Sequence, residues 1–113
     1  MSQITTHVLD VSRGKPASGV SVLLEIHTAA GSWKELGKGA TDADGRLKSL
    51  LAPGKLESGT YRLTFDTAAY FTERRIESLY PKVDIIFEVR NAQEHYHIPL
   101  LLSPFGYSTY RGS

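Results

Sequence analysis

The side chains of this 113-residue chain best able to move a proton near neutral pH are its four histidines, His7, His27, His95 and His97. An unperturbed imidazole titrates near pH ~6.5 and needs little help to act there. His95 and His97 are two positions apart, so in a strand both project from one sheet face while Tyr96 and Ile98 take the other. That shared face has three readings. With the distant His7 it could offer three nitrogen ligands and an open coordination position; it could be a polar strand face turned to solvent or to a neighbouring subunit; or it could supply a general base. No acidic ligand accompanies the pair in a metal-binding spacing, so no metal is expected. His27 alternates outward from a strand with a buried face and is expected to be an exposed strand histidine without a role.

Arg46 follows Asp42, Ala43, Asp44 and Gly45, where a turn releases the chain into a strand. An arginine there is ordinarily just solvated. Its chemical use would be as a planar, permanently charged fork that holds a flat, oxygen-rich, anionic ligand through paired hydrogen bonds. The carboxyl end is unusual for a tail: Pro104, Phe105, Gly106, Tyr107, Ser108, Thr109 and Tyr110 are aromatic and strand-prone almost to the last residue. Such a tail is expected to dock, which would put the hydroxyl and free α-carboxylate of Ser113 at a defined spot, with Arg111 as counter-charge.

The elements that must position these groups are strands. Val20, Val22, Leu24 and Ile26 alternate with Ser21, Leu23, Glu25 and His27; Tyr61, Leu63 and Phe65 with Arg62, Thr64 and Asp66; and Val83, Ile85, Phe87 and Val89 with Asp84, Ile86 and Glu88. Further strands are expected over residues 4–10, 33–41, 46–50, 96–102 and 107–111. Between them stand turn residues at 14–16, 30–32, 42–45, 53–54, 58–59 and 91–94. The fold class is therefore all-β: a two-sheet sandwich of about eight strands. One short helix is expected over residues 68–79, where Ala69, Tyr70, Ile76 and Leu79 are spaced helically, although the like charges Glu73 and Glu77 oppose it.

Composition narrows the partners. Apolar residues at 41% and charged residues at 22% are ordinary for a globular protein. A formal net charge of +1 provides no field to hold a polyanion, so nucleic acid is not expected. There is no cysteine, hence no disulfide, thiolate metal site or thiol nucleophile. Met1, Ser2 and Gln3 run straight into a strand-like segment without a secretory pattern, and no apolar run approaches membrane-spanning length. The expected compartment is the cytoplasm, or the periplasm if a leader had been removed. No repeat or linker divides the chain, so residues 1–113 are read as one domain.

Gly14, Lys15, Pro16 and Ala17, the run from Val20 to Leu24, and Thr41 to Arg46 look like many transthyretin-related sandwiches. Three further segments narrow the field: Thr6, His7, Val8, Leu9, Asp10; His95 to Ser103; and the terminal Tyr110, Arg111, Gly112, Ser113. With these the chain resembles the transthyretin-like 5-hydroxyisourate hydrolases over essentially its whole length. The thyroid-hormone carrier transthyretin shares the fold but lacks the terminal tetrad.

The resemblance implies a transthyretin-like sandwich that hydrolyses a ring amide of 5-hydroxyisourate, without a cofactor, to 2-oxo-4-hydroxy-4-carboxy-5-ureidoimidazoline. It places catalytic groups on His7, Arg46, His97 and Ser113, and substrate contacts on His95, Tyr110, Arg111 and Gly112. It also implies a homotetramer, a dimer of dimers whose sites open into a channel between dimers. Two rivals stand beside this: a transthyretin-like carrier that binds a small aromatic ligand without turnover, and a metal-dependent hydrolase using His7, His95 and His97.

Overall fold

A computed structural model of the chain describes residues 2–113. Strand β1 (Ile4–Asp10) sets the pattern: Ile4, Thr6, Val8 and Asp10 are buried, while Thr5, His7 and Leu9 face outward and are half-buried. It lies near the middle of a five-stranded sheet with β2 (Lys15–Pro16), β8 (Tyr96–Ser103) and β9 (Gly106–Thr109) in the order β2-β1-β8-β9, and β5 (Arg46–Leu47) also pairs with β1. β1 and β8 run parallel, in register from Ile4↔Tyr96 to Asp10↔Leu102. The second sheet is antiparallel, in the order β4 (Trp33–Ala40), β3 (Ser21–His27), β6 (Gly59–Phe65), β7 (Val83–Val89).

The inward side chains of both sheets form one cluster. Val22, Leu24, Leu63, Phe65 and Val83 come from the second sheet, and Ile4, Val8, Ile98, Leu100 and Leu102 from the first. Each such side chain contributes roughly 1.5–3 kcal/mol when fully buried, so the alternation read from the sequence is also the main source of stability. The expected two-sheet sandwich with one short helix is observed, with nine strands among the described residues, two of them only two residues long.

Several boundaries differ from expectation. The helix α1 is Thr67–Glu73, not 68–79. Asp66 caps its start by accepting from the Ala69 amide at 3.1 Å. Arg75, at φ 58°, ends it in the left-handed region, and the Ile76 amide turns back to Phe71 O at 2.9 Å. Ile76 still packs on the core from irregular chain, and Leu79 is exposed, so their spacing does not mark a helix face. The expected strand 46–50 stops after Leu47, and 107–111 becomes Gly106–Thr109 followed by an isolated bridge from Gly112 to His97. Lys15 and Pro16, read as a turn, form β2 against Leu9 and Asp10. At seven residues, α1 is far too short to cross a membrane.

Candidate active site

The turn before Arg46 is built by its own residues. One carboxylate oxygen of Asp42 accepts from the amides of Asp44 at 2.9 Å and Arg46 at 3.0 Å. The Arg46 amide first, then the Asp44 amide and the charges of Lys48 and Arg46, hold the Asp42 carboxyl below its ordinary 3.8 against the opposing effect of desolvation. Gly45 closes the turn at φ 76°, and a side chain there would collide with the Val8 carbonyl oxygen. The turn is therefore seated on β1. The Val8 amide donates to Gly45 O at 2.8 Å, and Arg46 pairs in register with His7.

Register brings the rest together. On the outer face of the first sheet Thr5 lies opposite His97, and His7 between Pro99 on one side and Arg46 on the other. The Thr5 hydroxyl meets His97 Nδ1 at 2.8 Å. His7 Nε2 lies 2.9 Å from the Asp44 carbonyl oxygen; a carbonyl only accepts, so Nε2 carries a proton and Nδ1 is the nitrogen left uncommitted. Burial first, then the Arg46 guanidinium and His7, push His97 below the ordinary histidine value of 6.5. His97 is thus kept as a neutral imidazole at pH 7.

A cavity of about 290 Å³ opens on this face, lined by Thr5, Thr6, Arg46, Lys48, His95, His97, Gly112 and Ser113. Both charged side chains in its wall are cations, which suits an anionic or oxygen-rich ligand. Among the described residues, no group of three or more His, Asp or Glu is arranged to hold a metal ion.

The tail docks as its composition predicts. The Gly112 amide donates to His97 O at 2.8 Å, and an added Cβ at Gly112 would stand 2.5 Å from His97 Cδ2 and 3.3 Å from Pro99 Cγ. Only glycine lets the chain pass this close to the imidazole. Arg111 does not serve Ser113 as expected: it donates to Glu94 Oε1 at 3.0 Å and to His95 O at 2.8 Å, and lies 4.4 Å over the Tyr96 ring. It clamps the tail to the start of β8.

Of the residues singled out from the sequence, Arg46, His95, His97, Gly112 and Ser113 line the cavity. His7 stands beside it through its pairing with Arg46, while Tyr110, 56% exposed, and Arg111 lie outside its wall. His27 is exposed and packs edge-on against Trp33. Thr5, Thr6 and Lys48, which also line it, were missed; for two of them the signal was alternation, since Thr5 shares a strand face with His7, and Lys48 lies two positions from Arg46.

The chain is similar to proteins of known kind along nearly all of its length. It is 45% identical to the 5-hydroxyisourate hydrolase of Mus musculus, over 99% of this chain and 96% of that one. Among solved structures it superposes on sea bream transthyretin in complex with thyroxine at a TM-score of 0.93 and 32% identity, covering 97% of this chain and 94% of that one. The 5-hydroxyisourate hydrolase of Klebsiella pneumoniae superposes at 0.84 and 37% identity, covering 97% and 98%. Residues 4–112 match the model of the HIUase/Transthyretin family, and the chain belongs to that family.

Proposed function

We propose that the chain hydrolyses 5-hydroxyisourate, the product of urate oxidation, to 2-oxo-4-hydroxy-4-carboxy-5-ureidoimidazoline. The observation that carries this reading is a histidine held neutral, His97, in one cavity wall with an unpaired cationic fork, Arg46. Hydrolysis of a cyclic amide needs those two functions, a base for water and a charge for the carbonyl oxygen. The hydrolase relatives from mouse and Klebsiella support it.

In the proposed mechanism the His97 Nδ1–H donates to Thr5, leaving Nε2 to take a proton from water as it attacks the ring carbonyl. Positioned base catalysis of this kind contributes on the order of a hundred- to ten-thousand-fold. Arg46 binds the carbonyl oxygen as negative charge develops, worth roughly 3–4 kcal/mol in the transition state. His7, with Nε2 anchored to the Asp44 carbonyl, orders the ring or the water beside Arg46. As the C–N bond breaks, the ring nitrogen leaves with the proton that His97 took up. Gly112 and Ser113 close the wall.

The carrier reading draws on the 0.93 superposition with thyroxine-bound transthyretin. Against it stands the wall itself, because an apolar ligand gains little from two cations and two imidazoles. Following the ultraviolet absorbance of freshly generated 5-hydroxyisourate separates the two. Faster decay with protein than without is the expected result; an unchanged decay rate, with and without added divalent metal, would overturn the hydrolase reading in favour of the carrier.

The same reading includes a homotetramer, a dimer of dimers. β7 and β9 end their sheets without a further strand. Ile86, Phe105, Tyr107 and Tyr110 are exposed apolar side chains on or beside those edges. A second dimer facing the open cavity would complete the enclosure that one sheet face cannot supply.

A further inference from the structure

We infer that Lys48 is a product-binding residue: its ammonium group receives the carboxylate that ring opening creates. The inference rests on the amide-hydrolysis reading above and adds a residue to it. Lys48 lies two positions beyond Arg46 and lines the same cavity. Its backbone is held in place, since its carbonyl accepts from the Ser2 amide at 3.1 Å while β5, just before it, is paired to β1. The described residues contain four ion pairs, none of which involves Lys48 or Arg46. No Asp or Glu side chain lines the cavity. Two side-chain cations therefore stand in one wall, their charges reaching the Asp42 carboxyl outside it, and the two differ in setting: Arg46 is half-buried, Lys48 exposed.

The reaction presents charge to the two at different moments. Water oxygen bonds to the ring carbonyl carbon, the C–N bond breaks, and the nitrogen leaves as the ureido NH2 with one added proton. The new carboxylic acid then loses its proton at neutral pH, so a neutral amide becomes an anion. Arg46 meets the charge that develops transiently on the carbonyl oxygen, and Lys48 meets the permanent charge that follows. An ammonium on a flexible stem suits that second task, because it can follow a carboxylate as the ring opens.

The test compares two probes of one shape and different charge, imidazole-4-carboxylate and imidazole-4-carboxamide, titrated by NMR into the wild-type chain, Lys48→Met, Lys48→Arg and Lys55→Met. Lys55 is an exposed lysine outside the cavity wall and controls for the change in net charge. In Lys48→Met the carboxylate is expected to bind about two- to fivefold more weakly, the scale of one exposed charge contact. The carboxamide should bind as before, Lys48→Arg should restore the carboxylate, and the difference should shrink in high salt. In kinetics with 5-hydroxyisourate the same variant should show weaker product inhibition with a smaller change in kcat. Equal carboxylate binding by wild type and Lys48→Met, or an equal loss in Lys55→Met, overturns the inference. The titration needs no turnover, so an inactive wild-type chain would defeat the hydrolase reading while leaving this measurement decisive for Lys48.

Discussion

At the residue scale, the site depends on which nitrogen of each histidine is occupied. His97 is tied through Nδ1 to Thr5 and His7 through Nε2 to Asp44, so the two rings offer opposite nitrogens. Thr5→Val keeps the shape and removes the tie; kcat should fall about tenfold or more, as expected when a base loses its fixed tautomer and aim. Thr5→Ser should recover most of the loss, and an unaltered kcat in Thr5→Val would show that the hydroxyl orders nothing. The pH dependence follows from the same ring. The active form is neutral, so activity should fall as pH drops through the His97 pKa, which lies below 6.5. Arg46→Gln removes one cause of that depression, and its residual activity should be lost at a higher pH than in the wild type; a pH–rate profile of kcat/KM measures the displacement. The His95 and His97 pair and the docked tail were readable from spacing and composition, whereas Arg46 after its turn looked like any solvated arginine and, with His7, was singled out only by the family resemblance. Thr5 and Lys48 were not singled out, since a threonine on a strand and a lysine after a turn are ordinary until register places them against an imidazole and a cavity.

At the element scale, strands with a strict period of two were legible nearly to the residue: β3, β6 and β7 were marked by Val22, Leu24, Leu63, Phe65 and Val83, all buried as their alternation requires. Elements decided by tertiary contact were not. β2 is two residues long and exists because Lys15 and Pro16 meet β1, and the helix ends where Arg75 turns left-handed, which no apolar spacing announces. The tail was legible as docked but not in how it docks. Its closing contact is Gly112 against His97, so Gly112→Ala should push the imidazole from Thr5 and lower kcat by an order of magnitude or more. The melting temperature should fall by only a few degrees, since the tail carries little of the core. Scanning calorimetry beside the rate measurement would check both. Full activity in Gly112→Ala would mean that the tail does not constrain the ring.

At the scale of the whole molecule, one sandwich core presents an open polar face, and the same fold serves the thyroxine-bound transthyretin it superposes on. Architecture therefore could not decide the function. What distinguishes this chain is the set of groups on one sheet's outer face, where β1, β5, β8 and the tail meet. Light scattering of the purified chain should give a mass four times that of one chain; a monomer with full activity would show that one sheet face suffices as a site.

In the proposed reaction, His97 and Arg46 together turn water onto a ring amide. The most direct test is the decay rate of 5-hydroxyisourate, followed by ultraviolet absorbance, with wild type, His97→Asn and Arg46→Gln at equal concentration. Wild type should consume the substrate rapidly and each variant at least a hundredfold more slowly, without change in mass or more than slight change in melting. Wild-type rates in both folded variants would contradict it.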